Sequence, residues 1–280
     1  MRELHFNDIV ERVRRVCIDA NYRLSEDVLE AYDRSLAKEK SPLGREILSL
    51  VRENAKIAET EGLPLSQDTG MAIFFVELGQ DVRIKGGLLQ EAIQEGVRQG
   101  YKEGFLRGSV VSDPLSRRNT GDNTPAIIHM DVVPGDQLKM TLNLVTGGAE
   151  NMSRIQMLSP GDGVEGVKRF VLETVREAGA DPCPPLLVGV GIGGDFESAA
   201  VLSKRALLRT VGNPHSKIEI ASLEEELLKK TNRLGIGPLG FGGTVTALAV
   251  HVEVAPCHMS SFPVAVNLSS HSIRRQVMVL

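Results

Sequence analysis

The chain has 280 residues, with 36 acidic and 32 basic side chains, a formal net charge of −4 and a pI of about 5.9. This balance argues against a nucleic-acid-binding protein, which would carry an excess of Lys and Arg on one face. No apolar stretch approaches the roughly 18 residues that span a membrane, and the first residues lack the apolar core of a signal peptide. A cytoplasmic protein without membrane contact is therefore predicted.

The first part of the chain, 1–62, predicts helices. Apolar side chains recur every three or four positions within 9–17 and again within 28–36, which is the spacing of one buried helix face. Ser41 followed by Pro42 suits an N-cap and a first helical position. A third helix is predicted from there to about Thr60.

From Pro64 onward the pattern changes. The polar turn Ser66–Gly70 leads into a strand at 71–76, a helix is predicted over 86–104, and a polar loop fills 107–124. Strands at 126–133 and 137–145 are predicted to form a hairpin that turns at Pro134-Gly135.

The second half predicts alternating helices and strands. The predicted elements are a helix at 163–178, a strand at 186–190 that runs into a glycine-rich loop, a helix capped by Asp195, a helix that starts at a capping box in Ser222–Glu225, and a strand at 244–254. The predicted fold class is α/β: a helical N-terminal region followed by mixed α/β layers with short strands and glycine-rich loops.

The glycines after residue 188 allow three interpretations. Gly189, Gly191 and Gly194 match the G-x-G-x-x-G spacing of dinucleotide-binding turns, where backbone amides and a helix N-terminus bind phosphate. A tight turn without ligand fits the same residues, as does a loop around another anionic group. No clear second strand ending in an acid supports the nucleotide interpretation.

Two of the three cysteines lie in proline-containing segments. Prolines flank Cys183, and a proline precedes Cys257. Proline keeps both thiols out of helix interiors, which favours metal ligation over the packing role of a buried cysteine. The wide spacing of the two residues is not diagnostic. Cys17 lies on the apolar face of the first helix and is predicted to belong to the core.

Polar turns supply candidate binding groups. Gln67 and Asp68 precede a strand, Arg107 opens a polar loop, and Asn119–Thr124 is dense in donors and acceptors. Guanidinium groups bind carboxylates with two hydrogen bonds, so these segments suit a small polyanionic substrate. Ordinary Asx-turns explain each segment equally well. The motifs of serine hydrolases, P-loop proteins and zinc proteases are absent from the sequence.

Together these segments resemble the α subunit, or N-terminal domain, of class I fumarate hydratases and L-tartrate dehydratases. The similar stretches run through nearly the whole chain: PLSQDTGMAIFFVELG, DPLSRRNTGDNTPAIIH, GGAEN, PCPPLLVGVGIGGDFESA, GPLGFGGTVTALAVHVE and APCHMSSFPVAVN. The resemblance implies one domain over 1–280 and a hydro-lyase that reversibly dehydrates a 2-hydroxy dicarboxylate. It further implies a β subunit that completes the enzyme, as a heterotetramer.

The resemblance also implies a cofactor and a set of site residues. The family holds a [4Fe–4S] cluster with three cysteines, which implies ligands at Cys183, at Cys257 and at Ser66, where the family motif Cys-Gln-Asp-Thr-Gly has its cysteine. A serine oxygen is a hard ligand, whereas iron–sulfur clusters take soft thiolates. The residues implied to contact substrate are Gln67, Asp68, Arg107 and Gly148, with Asp68 in the catalytic role.

Two other functions stay open at this point. A cluster-free relative would keep the fold and still pair with a β subunit, with Ser66 acting only as a turn residue. A nucleotide-binding protein would use the glycine-rich segment. The sequence does not separate malate from tartrate as the substrate, because part of the specificity is expected on the β subunit.

Overall fold

The computed structural model describes residues 2–280, and these residues form two compact units. The first unit consists of the chain up to Ser25, of Ala55–Gly147 and of Arg274–Leu280. The second unit consists of Glu26–Asn54 and Gly148–Ile273. The described residues contain no helix that is both long and apolar enough to cross a membrane.

Helices and strands alternate along most of the chain, which confirms the predicted α/β class. The elements are β1 (Arg2–His5), α1 (Phe6–Tyr22), α2 (Glu26–Lys38), α3 (Pro42–Glu61), β2 (Met71–Gly79), β3 (Val82–Lys85), α4 (Leu89–Glu103), β4 (Ile127–Val133), β5 (Leu138–Val145), α5 (Gly147–Glu150), β6 (Arg154–Leu158), α6 (Gly163–Ala178), β7 (Leu186–Gly194), α7 (Phe196–Ala206), α8 (Ile218–Asn232), β8 (Ala247–Cys257), β9 (Phe262–Ser269) and β10 (Arg274–Val279).

The N-terminal helices begin and end close to their predicted positions. Ser41 accepts a hydrogen bond from the Gly44 N–H at 3.1 Å, as an N-cap of α3 does. The structure differs at the start, where Arg2–His5 form β1 and pair in parallel with β3. The sequence pattern of these residues resembles a helix because they continue the apolar spacing of α1.

The main sheet of the first unit has the strand order β10-β5-β2-β4. Strand β2 pairs in parallel with β4 and antiparallel with β5. The predicted hairpin of β4 and β5 is therefore wrong, since β2 lies between them. The physical reason is the long apolar run of β2, which is buried through 72–76 and so takes a central place in the sheet. Helices α1 and α4 pack on one face of this sheet and form the core with it.

The second unit contains a sheet of order β6-β9-β7-β8 with helices on both faces. Val188 and Val190 of β7 belong to a core cluster with residues of α6 and α8. Side chains alternate along a strand, so Gly189 and Gly191 face the other way, towards α7. The capping box predicted within Ser222–Glu225 is wrong, because α8 already starts at Ile218 and Ser222 donates to the Ile218 carbonyl.

A buried carboxylate stabilises the second unit. Glu39 is 3% exposed and accepts hydrogen bonds from the backbone N–H groups of Ser41, Thr244 and Val245 at 2.8–2.9 Å. Burial raises the pKa of Glu39, but these hydrogen bonds outweigh it, and the pKa lies below its ordinary value. The folded state therefore favours the ionised form of Glu39.

We expect Glu39→Gln to lower the free energy of unfolding near neutral pH by about 2 kcal/mol, since charged acceptors are replaced by one weaker amide oxygen. A depressed folded-state pKa stabilises the protein above the unfolded-state pKa, and this contribution disappears as pH falls through the folded-state pKa. The gap between wild type and variant should therefore close below about pH 4. Denaturant titrations from pH 3 to 7 measure it, with exposed Glu46 changed to Gln as the control. A gap that stays constant over this range would contradict the assignment.

Candidate active site

The Asp68 side chain is held by backbone amides in the turn before β2. Its Oδ1 accepts the Gly70 N–H at 3.0 Å, and its Oδ2 accepts the Gly147 N–H at 2.8 Å. The Ser109 hydroxyl lies 3.4 Å from Oδ1, and Arg107 Nη2 lies 3.7 Å from the same oxygen. The carboxylate is therefore half-buried, fixed in position and next to a cation.

The structure brings most of the predicted residues of the first unit together. Asp68 and Arg107 form an ion pair, and Thr69 Oγ1 donates to the Arg107 carbonyl at 2.5 Å. Ser66 is half-buried and Gln67 is exposed in the same turn. An exposed amide and an exposed guanidinium beside a fixed carboxylate form a polar surface that suits a carboxylate-bearing ligand.

Several groups that position Asp68 did not stand out in the sequence. They are Ser109 and Gly147, which bond to its carboxylate, and three buried residues around its backbone, Tyr101, Asn123 and Arg274. Two of them had a sequence signal: Asn123 belongs to the dense polar segment Asn119–Thr124, and Gly147 opens the segment GGAEN that resembles the family. The other contacts depend on tertiary structure.

In the second unit, Cys183 lies in a constrained exposed loop. Its φ is +58°, a left-handed conformation that side chains other than glycine seldom adopt. The His271 N–H donates to the Cys183 carbonyl at 3.0 Å. Partial burial of the sulfur, together with the carboxylate of Asp181, raises the pKa of the Cys183 thiol. A Cβ placed on Gly148 would lie 3.5 Å from the Asp181 carbonyl, so the predicted Gly148 is a neighbour of this loop.

Cys257 is not brought to Cys183. It is the last residue of β8 and pairs with Gly194 at the end of β7, whereas Cys183 precedes Leu186, where β7 begins. The strand from Leu186 to Gly194 is about 26 Å long at roughly 3.3 Å per residue. The three residues back to Cys183 recover at most about 10 Å of this length. The implied pairing of these two thiols on one cluster is therefore not supported by the register of the sheet.

The implied ligand set does not fit a [4Fe–4S] cluster. Of its three members, Ser66 offers an oxygen, and Cys183 and Cys257 lie at opposite ends of β7. Within residues 2–280, no three His, Cys, Asp or Glu side chains form a group that suits a metal ion. All three cysteines are free thiols, with Cys17 buried in the core as predicted. Cys183 is the one implied thiol ligand that lies beside another implied site residue, Gly148.

The glycines of β7 serve the packing of α7. All of them belong to the strand itself, which extends to Gly194, so the predicted end of the strand at residue 190 and the glycine-rich loop after it are wrong. A Cβ on Gly189 would lie 2.1 Å from the Ser203 carbonyl, and one on Gly191 would lie 2.2 Å from the Ala199 carbonyl. Only glycine allows the helix backbone this close. Helix packing thus accounts for the spacing that resembles a dinucleotide-binding turn.

Comparison with known proteins gives consistent matches. The model of the family described as fumarate hydratase (Fumerase) matches residues 10–279. A protein of Methanocaldococcus jannaschii, provisionally named L(+)-tartrate dehydratase subunit alpha, is 42% identical over 280 residues, which are 98% of this chain and 97% of that protein. The L(+)-tartrate dehydratase subunit alpha of Escherichia coli O157:H7 is 34% identical over 278 residues, which are 98% of this chain and 91% of the relative.

Proposed function

We propose, because the chain belongs to the fumarate hydratase family, that it is the α subunit of a hydro-lyase that dehydrates a 2-hydroxy dicarboxylate such as malate or tartrate. The observation that carries this proposal is the Asp68 carboxylate, which two backbone amides fix beside Arg107. The family resemblance inferred from the sequence motifs is confirmed by the match. The relatives named as α subunits support a β subunit as the partner of this chain.

The proposed chemistry follows from the reaction. Dehydration removes a proton from the carbon next to one carboxylate and a hydroxyl group from the neighbouring carbon. A weak carbon acid requires a positioned base, and Asp68 is the proposed acceptor of that proton. Arg107 is proposed to bind a substrate carboxylate and to stabilise the charge that develops on it, while Gln67 and Gly148 contribute further substrate contacts. The β subunit supplies the remaining groups.

The family's cluster would supply a Lewis acid when bound. Since the implied ligands do not fit three-cysteine ligation, the roles above are assigned to side chains of this chain alone. The same misfit favours a second candidate function, a cluster-free relative that pairs with the β subunit without turnover. A substitution at Ser66 distinguishes the two candidate functions best, because a cysteine at this position would restore a soft ligand for iron.

Anaerobic co-expression with the β subunit tests the proposal. We expect a stable complex, proposed to be a heterotetramer, that dehydrates malate or tartrate. A matched Ser66→Cys complex is expected to hold more iron and to turn over faster. Iron analysis, native mass and the rate of alkene or keto-acid formation are the measurements. A complex that forms without iron and without turnover in either version would support the cluster-free relative and contradict the hydro-lyase.

A further inference from the structure

An arginine is buried beneath the Asp68 turn. Arg274, the first residue of β10, is 1% exposed. Its Nη2 donates to the Asp68 carbonyl at 2.7 Å, and its Nη1 donates to Asn21 Oδ1 at 2.7 Å. Burial lowers the pKa of Arg274 from its ordinary value, which reflects the cost of taking a guanidinium out of water. The two hydrogen bonds of the guanidinium offset part of this cost, and a neutral apolar side chain of the same volume would not form them.

The guanidinium bridges the turn to the end of α1. Asn21 is itself fixed, because its Nδ2 donates to the Cys17 carbonyl at 2.9 Å and its own carbonyl accepts the Leu65 N–H at 2.8 Å. The planar fork of arginine presents two nitrogens in a rigid geometry. One side chain thus sets the distance between α1 and the backbone of Asp68.

Other buried groups hold the next two carbonyls of the turn. The Tyr101 hydroxyl donates to the Thr69 carbonyl at 2.8 Å and lies 3.1 Å from the Gly70 carbonyl. Asn123 Nδ2 also donates to the Gly70 carbonyl, at 3.1 Å. Tyr101 is 3% exposed and Asn123 is fully buried. The backbone of residues 68–70 is therefore fixed from the protein interior, while the Asp68 carboxylate bonds to Gly147.

We propose that Arg274 is a positioning residue for the dehydration, which holds the Asp68 backbone where the carboxylate meets both its amide donors and the substrate. The inference rests on the proposed function in assigning proton transfer to Asp68. Misplacement of a reacting group by about 1 Å costs roughly 100-fold in rate. Loss of the guanidinium releases the Asp68 carbonyl from this buried cationic donor, so the effect should appear mainly in kcat.

The test compares three variants of the α–β complex. Arg274→Met removes both donors and keeps an apolar chain of similar length, whereas Arg274→Lys keeps one cationic donor. Leu138→Ala is the matched control, because Leu138 is fully buried in β5 at the end remote from Val145, whose backbone neighbours Gly70. The readouts are kcat, KM, the unfolding temperature and hydrogen exchange of the amides of residues 65–71.

For Arg274→Met we expect kcat to fall by about 100-fold while KM changes little, with faster exchange at 65–71 and unchanged exchange in α4. Arg274→Lys should recover part of both. Leu138→Ala should lower the unfolding temperature without either effect. Unchanged exchange at 65–71 in Arg274→Met, or an equal loss of kcat in Leu138→Ala, would overturn the proposal. If the wild-type complex shows no dehydration, the proposed function fails, and the exchange data still decide whether Arg274 fixes the turn.

Discussion

Asp68→Asn should lower kcat for dehydration by about 1,000-fold, within the range that positioned acid–base groups contribute. The amide cannot accept the proton, and its single oxygen can serve the Gly70 N–H or the Gly147 N–H but not both. KM should change less, because Arg107 and Gln67 remain. Steady-state kinetics of the α–β complex with malate and tartrate measure the effect.

The control for this variant is Asp136→Asn, which changes an exposed carboxylate in the turn before β5. It should leave kcat and KM at the wild-type values. If kcat of Asp68→Asn falls by less than about tenfold, the effect is too small for the loss of a general base. The proton-transfer role would then belong to the β subunit.

Cys183→Ala should lower iron binding and turnover strongly, whereas Cys257→Ala should change both very little. Cys183 lies in a constrained loop beside Gly148, whereas Cys257 lies at the far end of β7. Loss of a group that only supports a metal ligand lowers metal affinity by roughly 10–100-fold. If the complex binds iron, Cys183→Ala should lower the iron affinity by more than this, and turnover should fall as well. Cys257→Ala should change iron content and turnover by less than about twofold, as a surface substitution does.

Iron analysis and turnover of the two variants, prepared side by side without oxygen, make this comparison. Both variants keep the same number of cysteines, so nonspecific iron binding affects them equally. Equal loss of iron in both would mean that β7 does not separate the two thiols as its register indicates. A loss confined to Cys257→Ala would reverse the assignment.

Local patterns predicted the elements well where one short segment determines them. The spacing of Ile9 and Val13 predicts α1 because one helix face is buried, and Asp195 caps α7 as expected, accepting the Ser198 N–H at 2.8 Å. The pairing of β4 with β5 failed because chain proximity favours a hairpin, while the apolar run of β2 makes it the central strand. Strand order depends on which strand is most buried, and the short connection between β4 and β5 does not encode this.

The candidate site also contains residues with a local sequence signal and residues whose role depends on tertiary contacts. Asp68, Gln67 and Arg107 were found because they lie in polar turns and in motifs of the family. Arg274 was missed because it contacts Asp68 across a separation of 206 residues, and a basic residue at the start of a strand has no local sequence feature that indicates burial. Cys257 was assigned from the proline before it and from the resemblance. Neither of these indicates the strand register, which places Cys257 opposite Gly194.

We propose that this α chain, paired with a β subunit, dehydrates a 2-hydroxy dicarboxylate through the Asp68 turn. The most direct measurement is the rate of product formation from malate and from tartrate by the anaerobic complex, for wild type and Asp68→Asn in parallel. We expect turnover of at least one substrate by wild type and loss of nearly all of it in the variant. Absence of turnover by a folded wild-type complex, or equal rates in both, would contradict it.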